Sequence, residues 1–165
     1  MIVASAEDQG REARKMGRDP TEAWLVLGWI GLVFLVVGGV DFTLVWFPTN
    51  FGNREWQFAT VTQSFNGLPI LLLGLGFLTV AAEQVDRRWW GLLGVGFALV
   101  LLVWMLVGVA FWANNVSLAL GTVPEELALG IQRAVLKTMV QSLVYTAILV
   151  YLLRRGWVSQ RGGAT

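Results

Sequence analysis

The stretch AWLVLGWIGLVFLVVGGVDFTLVWF, residues 23–47, decides the fold of this chain. Asp41 is the only charged residue in it. A run of this length is sufficient for a helix that crosses a lipid bilayer, which needs about 20 predominantly apolar residues. A helix on the surface of a water-soluble bundle would keep one polar face, and this run has none. The stretch therefore predicts a transmembrane helix.

Three further blocks of the chain are apolar in the same way. They cover residues 67–82, 89–113 and 134–153, and Lys137 is the only charged residue among them. Only 14% of the 165 residues are charged, whereas a soluble domain carries about 25%. We therefore predict an all-α integral membrane protein, a bundle of four antiparallel transmembrane helices. The predicted spans lie near residues 23–47, 57–82, 89–112 and 131–153.

Capping patterns and prolines predict where the helices begin and end. The sequence DPTE at 19–22 is a capping-box pattern that predicts the start of the first helix, which is expected to end before Pro48. Pro69 falls inside the second span and predicts a kink there. A second capping pattern, TVPE at 122–125, predicts a last helix that starts outside the hydrocarbon. Gly130 is expected to break that helix into a surface piece and a spanning piece.

Basic residues mark one side of the predicted membrane domain. Short basic segments are retained in the cytoplasm, so the side that carries most of the lysine and arginine is predicted to be cytoplasmic. Residues 1–19 and 156–165 are thus predicted to be cytoplasmic segments flanking a membrane domain at 20–155. We expect the protein in the cytoplasmic (inner) membrane of a bacterium, with the first span as its targeting signal. Nine of the 12 basic residues belong to this side: Arg11, Arg14, Lys15, Arg18, Arg87, Arg88, Arg154, Arg155 and Arg161.

Tryptophan residues cluster near the predicted ends of the spans. Indole rings prefer the boundary between hydrocarbon and water, so these residues are predicted to be interfacial anchors. Trp29 and Trp104 fall deeper and are predicted to be packing residues. The predicted anchors are Trp24, Trp89, Trp90 and Trp157 on the cytoplasmic side and Trp46, Trp56 and Trp112 on the outer side.

Glycines inside the spans are predicted to mark close contacts between helices. Small residues let helix backbones approach each other in a membrane, where packing rather than the hydrophobic effect drives association. The predicted packing glycines are Gly28, Gly31, Gly91 and Gly94.

Asp41 and Lys137 are predicted to lie at the same depth in the membrane. Asp41 comes shortly before the outer end of the first helix, which places it ~9 Å below the boundary at a rise of 1.5 Å per residue. Lys137 follows the outer start of the fourth helix by a similar distance. Neighbouring polar residues of the second and fourth helices are expected in the same layer. The predicted polar layer consists of Asp41, Gln63, Ser64, Asn66, Arg133, Lys137 and Gln141.

Three interpretations of this layer stay open. Intramembrane charges normally face the protein interior, so the first is a buried ion pair between Asp41 and Lys137 that fixes helix packing. Gln63 or Ser64 would complete the hydrogen bonds of that pair. The second is a functional site, in which Asp41 holds a proton or cation, or Arg133 and Lys137 hold an anion. In the third, Lys137 alone extends to the outer interface.

The second and fourth helices are polar in their outer half and apolar in their inner half. This division predicts a polar pocket that opens toward the outer side of the membrane. Its cytoplasmic side is expected to be sealed by Leu71, Leu72, Leu73, Leu75 and Phe77 packed against Ile148, Leu149 and Leu152.

The residue inventory argues against catalysis and cofactor binding. The chain has no Cys and no His, which excludes disulfides, Cys/His zinc sites and His-ligated haem. No nucleophile has a companion base, so no catalytic residues, no metal site and no enzymatic activity are predicted. The basic N-terminal segment mixes both charges without aromatic residues, and nucleic-acid binding is not expected. No cofactor is predicted, although contact with bound lipid or pigment stays open.

Three functions are compatible with these features. The first is a non-catalytic accessory or structural subunit that packs in a larger membrane complex, such as an energy-converting one. Its partners would be membrane lipids and other membrane-protein subunits or further copies of itself. The second is a small oligomeric transporter or channel that uses the layer of Asp41 and Lys137. The third is a binder of lipid or a hydrophobic ligand.

Overall fold

The computed structural model describes residues 20–85, 88–121 and 125–162. Within these ranges the chain forms four α-helices and no strand: α1 (Pro20–Val45), α2 (Arg54–Val85), α3 (Arg88–Gly121) and α4 (Glu125–Gly162). Each helix contains a segment long and apolar enough to cross a membrane. The predictions of an all-helical chain and of four candidate membrane spans are confirmed. These spans are Thr21–Val45, Arg54–Val85, Trp89–Val116 and Ala128–Val158.

The helices are longer and less interrupted than the sequence patterns predict. α4 continues through Gly130, so the expected break at that position is wrong. A single glycine lowers helix stability by only about 1 kcal/mol relative to alanine, which long flanking segments offset. α2 is one helix with Pro69 inside it, as predicted, and α3 extends to Gly121. Residue 19 of the capping pattern at 19–22 and residues 122–124 of the pattern at 122–125 lie outside the described residues.

The start of α2 is fixed by a cap that the sequence analysis did not identify. The side-chain oxygen Oδ1 of Asn53 accepts hydrogen bonds from the backbone N–H groups of Glu55 and Trp56, at 2.9 and 3.1 Å. Asparagine is among the best residues for this role because it satisfies amide groups that lack partners in the first helical turn. The Glu55 carboxylate also lies at the positive end of the helix dipole.

α2 is the central helix of the fold. It packs against α1, α3 and α4, and α3 also packs against α4. Half of the residues in the most apolar window of α2 are buried, compared with 11% in that of α4. The residues Phe65, Leu68 and Leu75 of α2 are completely buried and form the centre of the core. The other three helices are therefore arranged around α2.

α1 and α2 approach each other most closely at Gly31 and Gly74. A Cβ atom at Gly31 would lie 2.8 Å from the carbonyl oxygen of Gly74 and 3.0 Å from the amide nitrogen of Leu78. A Cβ atom at Gly74 would meet backbone atoms of Gly31 and Leu35 at the same distances. The two backbones are thus in direct contact, as small residues permit in membrane helices.

The other predicted packing glycines differ in how tightly they are enclosed. At Gly28, the ring of Trp90 occupies the space that a side chain would need. At Gly94, a Cβ atom would make only ordinary contacts, at 3.7 Å from Leu78 and 3.8 Å from Thr79. Close contact between helices therefore depends on Gly28 and Gly31 far more than on Gly94.

An aromatic cluster joins α1, α2 and α3 near the loop that follows α1. The rings of Phe42 and Trp104 meet edge to face with centroids 4.3 Å apart, and those of Trp46 and Trp104 with centroids 5.6 Å apart. Trp104 also contacts Phe65 in the core, and Trp46 contacts Trp56 at the start of α2. This cluster fixes the part of α1 that carries Asp41.

Candidate functional site

Asp41 lies on the surface of the helical bundle beside α2. Its side chain is exposed, and its oxygen Oδ2 lies 3.3 Å from the position that a Cβ atom on Gly67 would occupy. No described residue donates a hydrogen bond to the carboxylate or forms an ion pair with it. Asp41 is therefore a carboxylate without a partner in the described part of the chain.

Lys137 interacts with α2 rather than with α1. Its ammonium group donates a hydrogen bond to the Oδ1 atom of Asn66 at 2.8 Å. The predicted ion pair between Asp41 and Lys137 within one chain is therefore not formed. The reason is that α2 lies between α1 and α4. Gly74 of α2 faces α1, whereas Gly76 lines a groove beside α4, and these two positions are about 200° apart around α2.

The two charged groups nevertheless lie at a similar height along α2. Asp41 is next to Gly67, and Lys137 is bonded to the adjacent residue Asn66. Gln63 is exposed and lies one helical turn before Asn66, on the same face of α2. We call the surface formed by Asp41, Gln63, Asn66 and Lys137 the polar face.

The remaining members of the predicted layer have different surroundings. Ser64 is buried, and its hydroxyl donates to the carbonyl oxygen of Thr60 in its own helix at 2.8 Å. Gln141 is half-buried and donates to the hydroxyl of Tyr145 at 3.3 Å. Arg133 is exposed near the start of α4. The predicted layer thus divides into exposed residues, the half-buried Gln141 and the buried Ser64.

The exposed side of α3 has a different character from the polar face. Every exposed residue of α3 between positions 92 and 107 is apolar, including Phe97, Val100 and Val103. This side is well suited to direct contact with lipid chains. The exposed charged groups Asp41 and Lys137 lie instead on the surface that α1, α2 and α4 share.

A groove of about 520 Å³ separates α2 from α4 on the side of the polar face nearer to the C-terminus of α4. Leu72, Leu73, Phe77, Ile148 and Leu152 were predicted to seal this region, but they line the groove. A gap remains because Gly76 has no side chain and nothing lies within 4 Å of its Cβ position. The groove is almost entirely apolar along its length, with Arg155 at one end.

Arg155, at the end of this groove, forms an ion pair. The Nε and Nη2 atoms of Arg155 donate to the two carboxylate oxygens of Glu83, at 2.7 and 2.8 Å. Arg155 also donates to the hydroxyl of Tyr151 at 3.2 Å. Arg155 was predicted only as a basic residue of the cytoplasmic side, although an acid and an arginine at the ends of two apolar helices indicate such a pair.

We expect the ion pair of Glu83 and Arg155 to contribute modestly to stability. Single changes Glu83→Gln and Arg155→Gln should each lower the free energy of unfolding by up to about 1 kcal/mol, since the pair is partly exposed. The double variant should lose less than the sum of the two, and unfolding titrations in mixed micelles measure this coupling. Arg154→Gln, which removes an exposed arginine next to the pair, serves as the control. Strictly additive losses would show that the pair contributes nothing.

The predicted interfacial tryptophans fall into two groups. Trp89 and Trp157 are 43% and 54% exposed, whereas Trp90 and Trp112 are 3% and 7% exposed. The rings of Trp90 and Trp112 therefore pack inside the bundle, and their role as interfacial anchors stays a prediction. Trp90 fills the space beside Gly28 and meets the ring of Trp29. Trp24, Trp46 and Trp56 are half-buried.

The described residues contain no group of three or more Asp, Glu, His or Cys side chains that would hold a metal ion. Compared with models of known protein families, with curated proteins and with solved structures, the chain matches none. Its function is therefore inferred from its own residues.

Proposed function

We propose that this chain is a non-catalytic accessory or structural subunit of a membrane complex, and that it assembles with its partner through the polar face. The observation that carries this proposal is Asp41, an exposed carboxylate without a partner in the described part of the chain. It lies beside the bonded pair of Lys137 and Asn66 at the same height.

The cost of exposing these groups to lipid supports an assembly role. A charged side chain within a membrane span is costly to expose to lipid, and such residues normally face other protein or water. The described residues give Asp41 no such environment. A partner that supplies a hydrogen-bond donor or a cation would remove this cost, so the polar face favours a protein contact over a lipid contact.

The topology proposed for this subunit is an antiparallel bundle in the inner membrane of a bacterium, with both termini in the cytoplasm. Neighbouring residues support opposite directions for α1 and α2, because Gly31 meets Gly74 whereas Asp41 meets Gly67. The excess of basic residues near both termini supports the cytoplasmic assignment. The polar face then lies in the outer half of the membrane, about 25 Å from the level of Glu83.

Replacing Asp41 with leucine tests this function. In membranes that contain the native partner, we expect Asp41→Leu to reduce the amount of the native complex at least tenfold, measured by native gel and mass after mild detergent extraction. The fold should persist, because Asp41 makes no hydrogen bond within the described chain.

Thr43→Leu is the matched control for this experiment. Thr43 is an exposed residue of α1 about 200° around the helix from Asp41, and its hydroxyl bonds only to the carbonyl oxygen of Gly39 in the same helix. This variant should keep the complex. A wild-type protein that migrates as a monomer, with no change in Asp41→Leu, would contradict the proposed function.

A small oligomeric transporter or channel is the second candidate, and the accessible carboxylate of Asp41 favours it. An intramembrane acid that faces a wet cavity in an oligomer is a common site for a proton or cation. Ion flux in proteoliposomes that is lost in Asp41→Asn would support transport. Flux that survives this neutralisation, or no flux at all, would leave the accessory role as the better proposal.

A further inference from the structure

We propose that the partner across the polar face is a second copy of this chain, related to the first by a two-fold axis along the membrane normal. In this dimer Asp41 of each copy pairs with Lys137 of the other. The inference rests on the proposed function, because it names the partner for the same assembly surface.

The first requirement for such a dimer is that the two charges share one height. Asp41 contacts Gly67, and Lys137 is bonded to Asn66, so both groups lie at the same level of α2. A rotation about the membrane normal does not change the height of any residue. The acid of one copy and the cation of the other therefore meet at the same depth.

The second requirement is that the two charges lie on either side of one face. Exposed residues Gln63, Asn66 and Ile70 of α2 separate α1, which carries Asp41, from α4, which carries Lys137. When two such faces meet about a two-fold axis, α1 of each copy is opposite α4 of the other. Contacts of this isologous kind occur twice, which gives two equivalent ion pairs.

The groove between α2 and α4 provides the third argument. On α1, the exposed residues Val37 and Ile30 precede Asp41 by 4 and 11 residues, which places them along one ridge of the helix. Aligning Asp41 with Lys137 of the other copy brings Ile30 to the level of Phe77 and Ile148, which line the groove. The apolar ridge of α1 thus fits the apolar groove below the charged layer.

Charge reversal distinguishes a second copy from any other partner. The variants Asp41→Lys and Lys137→Asp each place two like charges opposite each other in both contacts of a homodimer. A heterodimer of the two variants instead has one native pair and one reversed pair, so both of its contacts are attractive. We expect each variant alone to lose at least tenfold in dimer yield and the mixture to form the heterodimer.

The experiment uses full-length chains with two different affinity tags, co-expressed and purified in sequence, with the mass of the complex read by native mass spectrometry. Asp41→Leu serves as a control, because it removes the acid without placing like charges opposite each other. This variant should fold and should not dimerise. Failure of the two reversed variants to form a heterodimer, when each is folded by circular dichroism, would overturn the inference.

Cross-linking provides an independent measurement of the same contact. The chain has no cysteine, so Val37→Cys in one tagged copy and Gln141→Cys in the other introduce one thiol each. These positions lie one turn from Asp41 and Lys137, and a short bis-maleimide should join them at least tenfold more efficiently than a control pair. The control places cysteine at Val100 on the apolar side of α3, again opposite Gln141→Cys.

The possible outcomes separate the inference from the proposed function. A complex that holds one copy of this chain and a different membrane protein would overturn the dimer and leave the accessory function standing. A monomer that carries only bound phospholipid would overturn both. A two-copy complex with equal cross-linking from Val37 and Val100 would overturn the assigned face.

Discussion

Replacing Gly31 with leucine is expected to lower the free energy of unfolding by about 3 kcal/mol, the upper part of the range for overpacked sites. The new Cβ atom would lie 2.8 Å from the carbonyl oxygen of Gly74 and 3.0 Å from the amide nitrogen of Leu78. Both obstacles are backbone atoms of α2, so no side-chain rotation relieves the clash. α1 would have to move away from α2, and the packing around Leu35 would be lost.

Gly39→Leu is the control, because it makes the same change in the same helix. Nothing lies within 4 Å of a Cβ atom at Gly39, and the stability should stay within about 0.5 kcal/mol of the wild type. Reversible unfolding in mixed detergent micelles, followed by circular dichroism, measures both variants. Equal stability of Gly31→Leu and Gly39→Leu would show that α1 and α2 are not in backbone contact.

The number and type of helices could be predicted from sequence because they depend on length and hydropathy alone. A helix of about 20 apolar residues has few alternatives to crossing a bilayer. The similar height of Asp41 and Lys137 along the bundle could be predicted as well, because it follows from the rise per residue along each helix.

The orientation of these groups could not be predicted in the same way. The hydropathy of α1 gives no direction, because Asp41 and Thr43 are the only polar residues in its spanning part, and only glycines such as Gly31 indicate which face packs against α2. The structure places Gln63 outside and its neighbour Ser64 inside, a difference that comes from the packing of three helices around α2. Charged residues within a membrane usually lie in the protein interior. This expectation predicts an ion pair between Asp41 and Lys137, which does not form within one chain.

The groove was missed for a related reason. Leucine and phenylalanine side chains in two facing helices predict contact, but whether they meet depends on the residues between them. Gly76 leaves a gap that the larger neighbours Leu73 and Phe77 do not fill. Gly74, two positions earlier, has the opposite role and brings α1 into backbone contact. The sequence alone does not distinguish a glycine that closes a contact from one that opens a groove.

Trp104→Ala is expected to destabilise the fold by about 2 kcal/mol or more. Large-to-alanine changes at aromatic core positions cost about 3–5 kcal/mol in soluble proteins. In a bilayer the transfer contribution largely disappears, because lipid is as apolar as the core, but the lost dispersion contacts remain. Trp104 meets Phe42 of α1, Trp46 at the end of α1 and Phe65 of α2, so one truncation opens a cavity among three helices.

The matched control for this change is Phe97→Ala, which truncates an aromatic residue of the same helix. Phe97 is 41% exposed on the apolar side of α3 and has no ring partner among the described residues. Its loss should change the free energy of unfolding by less than half as much, measured in the same micelles. Because Phe42 is adjacent to Asp41, Trp104→Ala should also weaken dimerisation, whereas Phe97→Ala should not. Equal destabilisation by both changes would mean that the aromatic cluster does not hold α1 in place, and the position of Asp41 would then need another explanation.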